Sequence, residues 1–154
     1  IAPTKNNERL EWFLEKATEI GIDKITPIIT QNSERKVIKK ERLEKIILSA
    51  MKQSLKYHLP VLNDSMSFNE FLELNPSENS YIAHCYDGEK KHMKNLIEPK
   101  QSVTILIGPE GDFSQEEVAK SIAANYTPIS LGEARLRTET AAVVAVQNIA
   151  FINQ

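Results

Sequence analysis

Apolar residues recur every three or four positions in two segments of the chain, which predicts two amphipathic helices. The first covers residues 7–20, with Asn7 as its N-cap and Gly21 as its C-cap. The second covers residues 40–57, and Pro60 ends that segment. The predicted buried positions are Leu10, Phe13, Leu14 and Ala17 in the first helix, and Leu43, Ile46, Ile47, Ala50, Met51 and Leu55 in the second.

Shorter apolar runs predict strands over residues 24–30, 81–86, 102–107 and 128–131. The run 102–107 is apolar almost throughout, which is typical of a strand buried on both faces of a parallel sheet. Ser67 and Ser114 are predicted N-caps of short helices, and residues 75–79 form a predicted turn. A last helix, rich in Ala and Val, is predicted over 138–152. Strands that alternate with helices predict one α/β domain with a mostly parallel sheet.

Composition excludes several classes of protein. The 154-residue chain is 41% apolar, which is typical of a globular domain and argues against disorder. The single cysteine, Cys85, excludes a disulfide framework. No apolar run reaches the roughly 18–20 residues of a membrane span. No His, Cys, Asp or Glu residues have metal-ligand spacing. We therefore expect a cytoplasmic protein with no metal and no membrane partner.

The net charge of −2 conceals an uneven distribution of charge along the chain. Residues 35–56 contain eight Lys and Arg residues but only two acidic residues, Glu41 and Glu44, which is a local balance of +6. Such a segment fits a solvated helix face as well as a surface that contacts phosphates. The average charge therefore does not exclude a nucleic-acid partner.

Two predicted strands end in loops with the composition of ligand sites. In LIGPEGDFS, residues 106–114, a buried strand runs through Gly108 and Gly111 into a helix. Ligands of open α/β sheets bind outside the carboxyl ends of strands, and glycine lets the backbone approach a ligand closely. In LGEARLRTETAAV, residues 131–143, a second strand end leads into a charged loop and a helix of small residues. The structural alternative for the first loop is an ordinary tight turn, and for the second it is a salt-bridged helix entry capped by Thr138. The presence of two such loops favours a shared cofactor cleft.

These two motifs, together with the earlier KATEIGIDKITPIIT, SER and ERLEKIILSAMKQS, resemble the bacterial 16S rRNA uracil-N3 methyltransferases of the SPOUT class. The resemblance covers nearly the whole chain, with the motifs in the same order. It implies an α/β SPOUT fold, with helices on both faces of the sheet and a deep trefoil knot within about residues 102–154. It also implies a single domain over 1–154 that lacks the N-terminal PUA-like RNA-binding domain of the family. One departure is Asp112, where many relatives have glycine.

The same resemblance implies the cofactor, the partners and the site residues. The cofactor is S-adenosylmethionine, the RNA partner is 16S rRNA of the small ribosomal subunit, and the protein forms a homodimer. Arg137 is the candidate for stabilising the negative charge that develops on the uracil or for gripping the nucleotide, and Glu139 for orienting Arg137 or assisting proton removal. The expected cofactor-binding residues are Leu106, Ile107, Gly108, Pro109, Glu110, Gly111, Ser130, Leu131, Gly132, Leu136, Thr138, Thr140 and Ala141. The expected RNA-binding residues are Arg35, Lys36, Lys39, Lys40 and Arg135.

Two other interpretations of the function remain open from the sequence. The enzyme could instead methylate tRNA or another rRNA site. The chain could also be a non-catalytic nucleotide-binding or dimerisation module. His84, beside Cys85 on a predicted strand, fits a packed histidine better than a catalytic one, because no Ser/His/Asp or Cys/His signature accompanies it.

Overall fold

A computed structural model describes residues 1–74 and 78–154 of the chain. Strands and helices follow one another along it, so the predicted α/β class is confirmed. The predicted turn over 75–79 includes residues 75–77, which lie outside the described part. In chain order the elements are α1 (Asn7–Ile20), β1 (Lys24–Ile25), β2 (Ile28–Ile29), α2 (Lys40–Gln53), β3 (Val61–Leu62), β4 (Met66–Ser67), α3 (Phe68–Glu73), β5 (Asn79–Ala83), β6 (Lys91–His92), a 3-10 turn (Met93–Asn95), β7 (Val103–Ile107), α4 (Gln115–Ala123), β8 (Thr127–Ser130) and α5 (Thr138–Ile152).

The largest sheet has the strand order β6-β8-β5-β7, and every pairing in it is parallel. Strand β5 lies between β7 and β8, so that Ile82 is paired with Leu106 on one side and with Pro128 on the other. Parallel strands end at the same edge of a sheet. The segments that follow β5, β7 and β8 therefore leave from one common edge.

Two smaller parallel pairs, β1–β3 and β2–β4, accompany this sheet, and the first two residues of the chain connect it to β2. The backbone nitrogen of Ala2 donates to the carbonyl of Ile107 at 2.8 Å, and the nitrogen of Ile28 donates to the carbonyl of Ile1 at 2.9 Å. The predicted strand over 24–30 is divided into β1 and β2 on either side of Thr26 and Pro27. Proline has no N–H to donate to a ladder, which is why the strand is interrupted there.

Helices pack on both faces of these strands. On one face, α1, α2 and α5 enclose an apolar cluster to which β7 contributes Ile107. On the other face, Leu106 of β7 packs with Phe68 of α3 and with Phe113, which precedes α4. Adjacent residues of one strand enter different clusters because successive side chains point to opposite faces.

Several element ends differ from the sequence prediction. Helix α1 is capped by Asn6, whose Oδ1 accepts from the backbone nitrogen of Glu8 at 2.9 Å, and not by Asn7. Helix α2 ends at Gln53 rather than at residue 57, and Leu55, predicted to be buried, is 80% exposed. The predicted strand 81–86 is β5, which ends at Ala83, and the predicted strand 128–131 is β8, displaced by one residue. The helix predicted over 138–152 is confirmed as α5.

The Ser67 and Ser114 caps are confirmed, each as part of a reciprocal capping box with the Glu three residues later. None of the helices in residues 1–74 and 78–154 has the length and hydropathy that a bilayer crossing requires.

Replacing Ile47 by alanine should lower the free energy of unfolding by about 2–5 kcal/mol, since it removes buried methyl groups and leaves a cavity. Ile47 is 2% exposed, within the cluster between α1, α2 and α5. The matched control is Leu55→Ala on the exposed side of the same segment, which should change the free energy by less than about 0.5 kcal/mol. Urea denaturation followed by circular dichroism measures both values. Equal losses in the two variants would contradict the observed burial.

Candidate functional site

The loop after β7 is held in place by buried contacts on its inner side. A Cβ at Gly108 would lie 3.0–3.1 Å from atoms of Phe113, so only glycine lets this strand end pack so closely on that ring. Residues Pro109 to Asp112 form a tight turn, in which the nitrogen of Asp112 donates to the carbonyl of Pro109 at 2.9 Å. The Glu110 carboxylate accepts from the backbone nitrogen of Lys5 at 2.9 Å. The side chains of Leu106 and Ile107 are buried, so only their backbone is available to a ligand.

The loop after β8 is exposed and open. The hydroxyl of Ser130 lies 3.2 Å from the nitrogen and 3.1 Å from the carbonyl oxygen of Gly132, which forms the first turn of the loop. Gly132 has φ +135°, a conformation that disfavours other residues. Apart from its two chain neighbours, no described residue has a heavy atom within 4 Å of the position that a Cβ would take there. Arg135 and Arg137 are exposed, whereas Leu131, Leu136, Thr140 and Ala141 are half-buried.

A buried hydrogen bond joins the two loops. The hydroxyl of Thr138, the first residue of α5, donates to the carbonyl of Gly108 at 3.0 Å. Thr138 is therefore not the N-cap, which is Arg137, and Arg137 makes no side-chain capping bond. The structure thus brings the two predicted cofactor loops together at the edge where β7 and β8 end.

Glu139 is buried at 7% exposure in the first turn of α5. The expected ion pair with Arg137 is absent from the described residues. The nearest cation to Glu139 is Arg9 of α1, whose Nε lies 3.7 Å from Oε1. The second carboxylate oxygen, Oε2, is buried and has no hydrogen-bond partner among the described residues. Helix α1 therefore supplies a basic residue to this site that the sequence pattern did not indicate.

A third segment, which follows β5, lies beside the loop after β7, and the sequence prediction did not assign it to the site. The Asp112 carboxylate accepts from the backbone nitrogen of Cys85 at 2.8 Å, and the hydroxyl of Tyr86 donates to the carbonyl of Phe113 at 2.7 Å. Lys90 closes the segment by donating to the carbonyls of His84 and Tyr86. Only the strand order could have revealed this segment, because β5 lies between β7 and β8.

His84 is the titratable side chain at the end of β5. Partial burial lowers its pKa below the ordinary value, and the charge of Lys90 lowers it further against the opposing effect of Asp112. Its Nδ1 is buried and without a hydrogen-bond partner among the described residues. An imidazole whose buried Nδ1 has no partner among the described residues thus follows the strand that lies between β7 and β8.

Four of the predicted RNA-binding residues lie outside the loops after β7 and β8, namely Arg35, Lys36, Lys39 and Lys40, whereas Arg135 lies within the loop after β8. Arg35 donates from Nε to the carbonyl of Thr4 at 3.2 Å and from Nη2 to that of Lys5 at 2.8 Å, so part of its guanidinium serves the fold. Arg35 and Lys36 line an open surface pocket of about 370 Å³. Lys39 precedes α2 as its N-cap residue, and Lys40 pairs with Asp64 at 2.8 Å.

The segment that leads to these basic residues is attached to the loop after β7. The amide of Asn32 donates to the carbonyls of Gly111 and Asp112 at 3.1 and 3.0 Å, and the nitrogen of Gln31 donates to the carboxylate of Glu117 at 2.8 Å. The basic surface and the candidate cofactor loops are thus parts of one hydrogen-bonded unit. Within the described part of the chain, no three His, Cys, Asp or Glu side chains are grouped as metal ligands.

Comparison with known families gives the class of protein to which this architecture and these loops belong. Residues 1–150 match the family model described as RNA methyltransferase domain, and the chain belongs to that family.

The relatives that this chain resembles are named as ribosomal RNA methyltransferases. The chain is 35% identical to ribosomal RNA small subunit methyltransferase E of Buchnera aphidicola, over 91% of this chain and 57% of that protein. A probable rRNA-methyltransferase from Porphyromonas gingivalis has 46% identity and a TM-score of 0.93, over 99% of this chain and 66% of that one. Ribosomal RNA small subunit methyltransferase E from Neisseria gonorrhoeae, bound to S-adenosyl methionine, has 26% identity and a TM-score of 0.87, over 99% and 63%. The chain thus spans about 57–66% of these relatives' length.

Replacing Thr138 by valine should lower the free energy of unfolding by about 1–3 kcal/mol, because the buried carbonyl of Gly108 loses its hydroxyl donor. Thr138→Ser is the matched control, since it keeps the hydroxyl and loses one methyl, at a cost of about 1 kcal/mol or less. Chemical denaturation of the three proteins measures the difference. A valine variant as stable as the serine variant would show that this bond does not hold the two loops together.

Proposed function

We propose that this chain is an S-adenosylmethionine-dependent methyltransferase domain of the SPOUT class, which methylates N3 of a uridine in 16S rRNA of the small ribosomal subunit. The observation that carries the proposal is the convergence of three loops, after β5, β7 and β8, at one edge of a parallel sheet in a chain of the RNA methyltransferase family. The relatives named as small subunit methyltransferases support the choice of RNA.

The residues at this edge fit a cofactor of that kind. Open space above Gly132 allows a ligand to approach the backbone of the loop after β8. The backbone of residues 106–111 and 130–132 would hold the cofactor, with Leu136, Thr138, Thr140 and Ala141 at its rim. The S-adenosyl methionine bound to the gonococcal relative supports the choice of cofactor.

S-adenosylmethionine supplies an electrophilic methyl group on its sulfonium. The protein must then make uracil N3 nucleophilic. That nitrogen carries a proton, and its loss spreads negative charge over two carbonyl oxygens. Arg137 is exposed and has no ion pair among the described residues, so its guanidinium is available to stabilise this charge or to grip the nucleotide. Glu139, with one unpartnered carboxylate oxygen, is the candidate for assisting proton removal.

The target uridine must leave its stack to reach this edge. Arg35, Lys36, Lys39, Lys40 and Arg135 would contact the phosphates around it, since phosphate contacts position a nucleic acid without reading its sequence. The hydrogen bonds from Asn32 to Gly111 and Asp112 connect the basic surface to the cofactor loops, which supports this arrangement.

The trefoil knot and the homodimer belong to the same proposal. The Thr138 bond to Gly108 brings the chain after β8 against the loop after β7, and this proximity supports the knot proposed over residues 102–154. Helices α1 and α5 pack on each other and leave Trp12 and Phe151 exposed, at 43% and 72%. A second copy of the chain would cover such apolar side chains.

Calorimetry should show that the chain binds S-adenosylmethionine at micromolar concentration. Joined to the PUA-like RNA-binding domain that the family resemblance implies, the chain should also transfer a labelled methyl group to small ribosomal subunits from cells that lack this gene, and mass spectrometry of the digested 16S rRNA should place it on uridine N3. The chain without that domain should transfer it weakly or not at all. Absence of any cofactor binding would contradict the methyltransferase class. Methylation of tRNA or of another nucleotide would keep the class and overturn the proposed target.

Replacing Arg137 by alanine should leave cofactor affinity nearly unchanged and reduce the rate of methyl transfer at least about 100-fold, since it removes a cation that acts on the developing charge. The matched control is Arg42→Ala, because Arg42 is an exposed arginine whose guanidinium pairs with Glu11 instead. Single-turnover transfer with saturating cofactor measures both rates. Wild-type rates in the Arg137 variant would assign this arginine a purely structural role.

A further inference from the structure

Asp112, in the loop after β7, has a positive φ, and both of its carboxylate oxygens accept hydrogen bonds from backbone nitrogens. Its φ is +63°, in the left-handed region that most residues avoid and that Asp tolerates better than most. One carboxylate oxygen accepts from the backbone nitrogen of Phe113 at 2.7 Å, and the other accepts from that of Cys85 at 2.8 Å. A single side chain thus joins the loop after β7 to the segment after β5.

A second bond reinforces this connection. The hydroxyl of Tyr86 donates to the carbonyl of Phe113 at 2.7 Å, and the ring of Phe113 is fully buried beneath it. Lys90 closes the segment 84–90 on itself through the carbonyls of His84 and Tyr86, at 2.9 and 2.6 Å. The segment therefore lies on the loop after β7 through one ionic and one neutral hydrogen bond.

We propose that Asp112 is a positioning residue, which fastens the segment 84–90 to the loop after β7 and so forms a third wall of the cofactor cleft. This proposal rests on the proposed function, since it names a group that organises the same site. The position of β5 between β7 and β8 places the segment at the site. A carboxylate suits the task because hydrogen bonds from amides to an ionised acceptor are about twice as strong as neutral ones.

The decisive variant is Asp112→Gly. Glycine adopts φ +63° without strain, so the loop can keep its backbone path while the link to Cys85 is lost. We expect S-adenosylmethionine to bind about tenfold more weakly, as the loss of one charge-assisted hydrogen bond allows. We also expect hydrogen exchange of the Cys85 amide to become faster in the absence of cofactor, which NMR detects at that one residue.

Three further variants separate this role from general effects on the fold. Glu98→Gln removes the same charge from an exposed side chain that lies outside the segment 84–90 and the three loops and has no partner among the described residues, and it should leave the affinity unchanged. Asp112→Asn keeps one acceptor oxygen and the tolerance for positive φ, so it should recover part of the affinity. Tyr86→Phe removes the second link and should weaken binding further when combined with Asp112→Gly.

The outcomes are distinguishable. Calorimetric affinity that falls with Asp112→Gly but not with Glu98→Gln, together with faster exchange at Cys85, supports the proposal. Wild-type affinity in the glycine variant overturns it, even if thermal stability changes. A wild-type chain that binds no S-adenosylmethionine would instead contradict the proposed function.

Discussion

The parallel pairing of β5 with β7 on one side and β8 on the other is the constraint on which the rest of this structure depends. It brings the carboxyl ends of three strands, far apart in sequence, to one edge of the sheet. Beyond the carboxyl ends of these strands the ladder hydrogen bonds stop. The backbone N–H and C=O groups of the loops must therefore form hydrogen bonds with other partners. Thr138 donates a buried hydrogen bond to the carbonyl of Gly108, and the Asp112 carboxylate accepts one from the backbone nitrogen of Cys85. Gly108 itself packs closely on Phe113.

Those hydrogen bonds connect the edge to surfaces farther away. Asn32 ties the start of the basic segment to the loop after β7, and Arg9 brings α1 to the buried carboxylate of Glu139. Each contact joins residues more than 70 positions apart, so each exists only in the folded chain. These contacts therefore fix the positions of the basic surface and of α1 relative to the proposed cofactor cleft. A displacement of one of these parts would move the others.

Local signals in the sequence predicted much of the secondary structure correctly. The two capping boxes, the Gly21 cap and helix α5 follow from residues within one or two turns of each other, where backbone donors meet nearby side chains. Leu55 shows where this reasoning fails. Its spacing fits the buried stripe of α2, but the helix ends at Gln53 and turns Leu55 out to solvent. The spacing of apolar residues does not show where a helix ends, because the hydrogen bonds of the C-cap residue, here Ser54, decide that point.

The sequence by itself determined the α/β class, the two glycine-containing loops and the local excess of positive charge, because each is carried by neighbouring residues. Only the tertiary structure decided which loops meet. It placed the segment after β5 beside the loop after β7, paired Glu139 with Arg9 rather than with Arg137, and used part of Arg35 to hold the first residues of the chain. Strand order and long-range pairing depend on how the whole chain buries its apolar faces, and no short stretch of sequence contains that information.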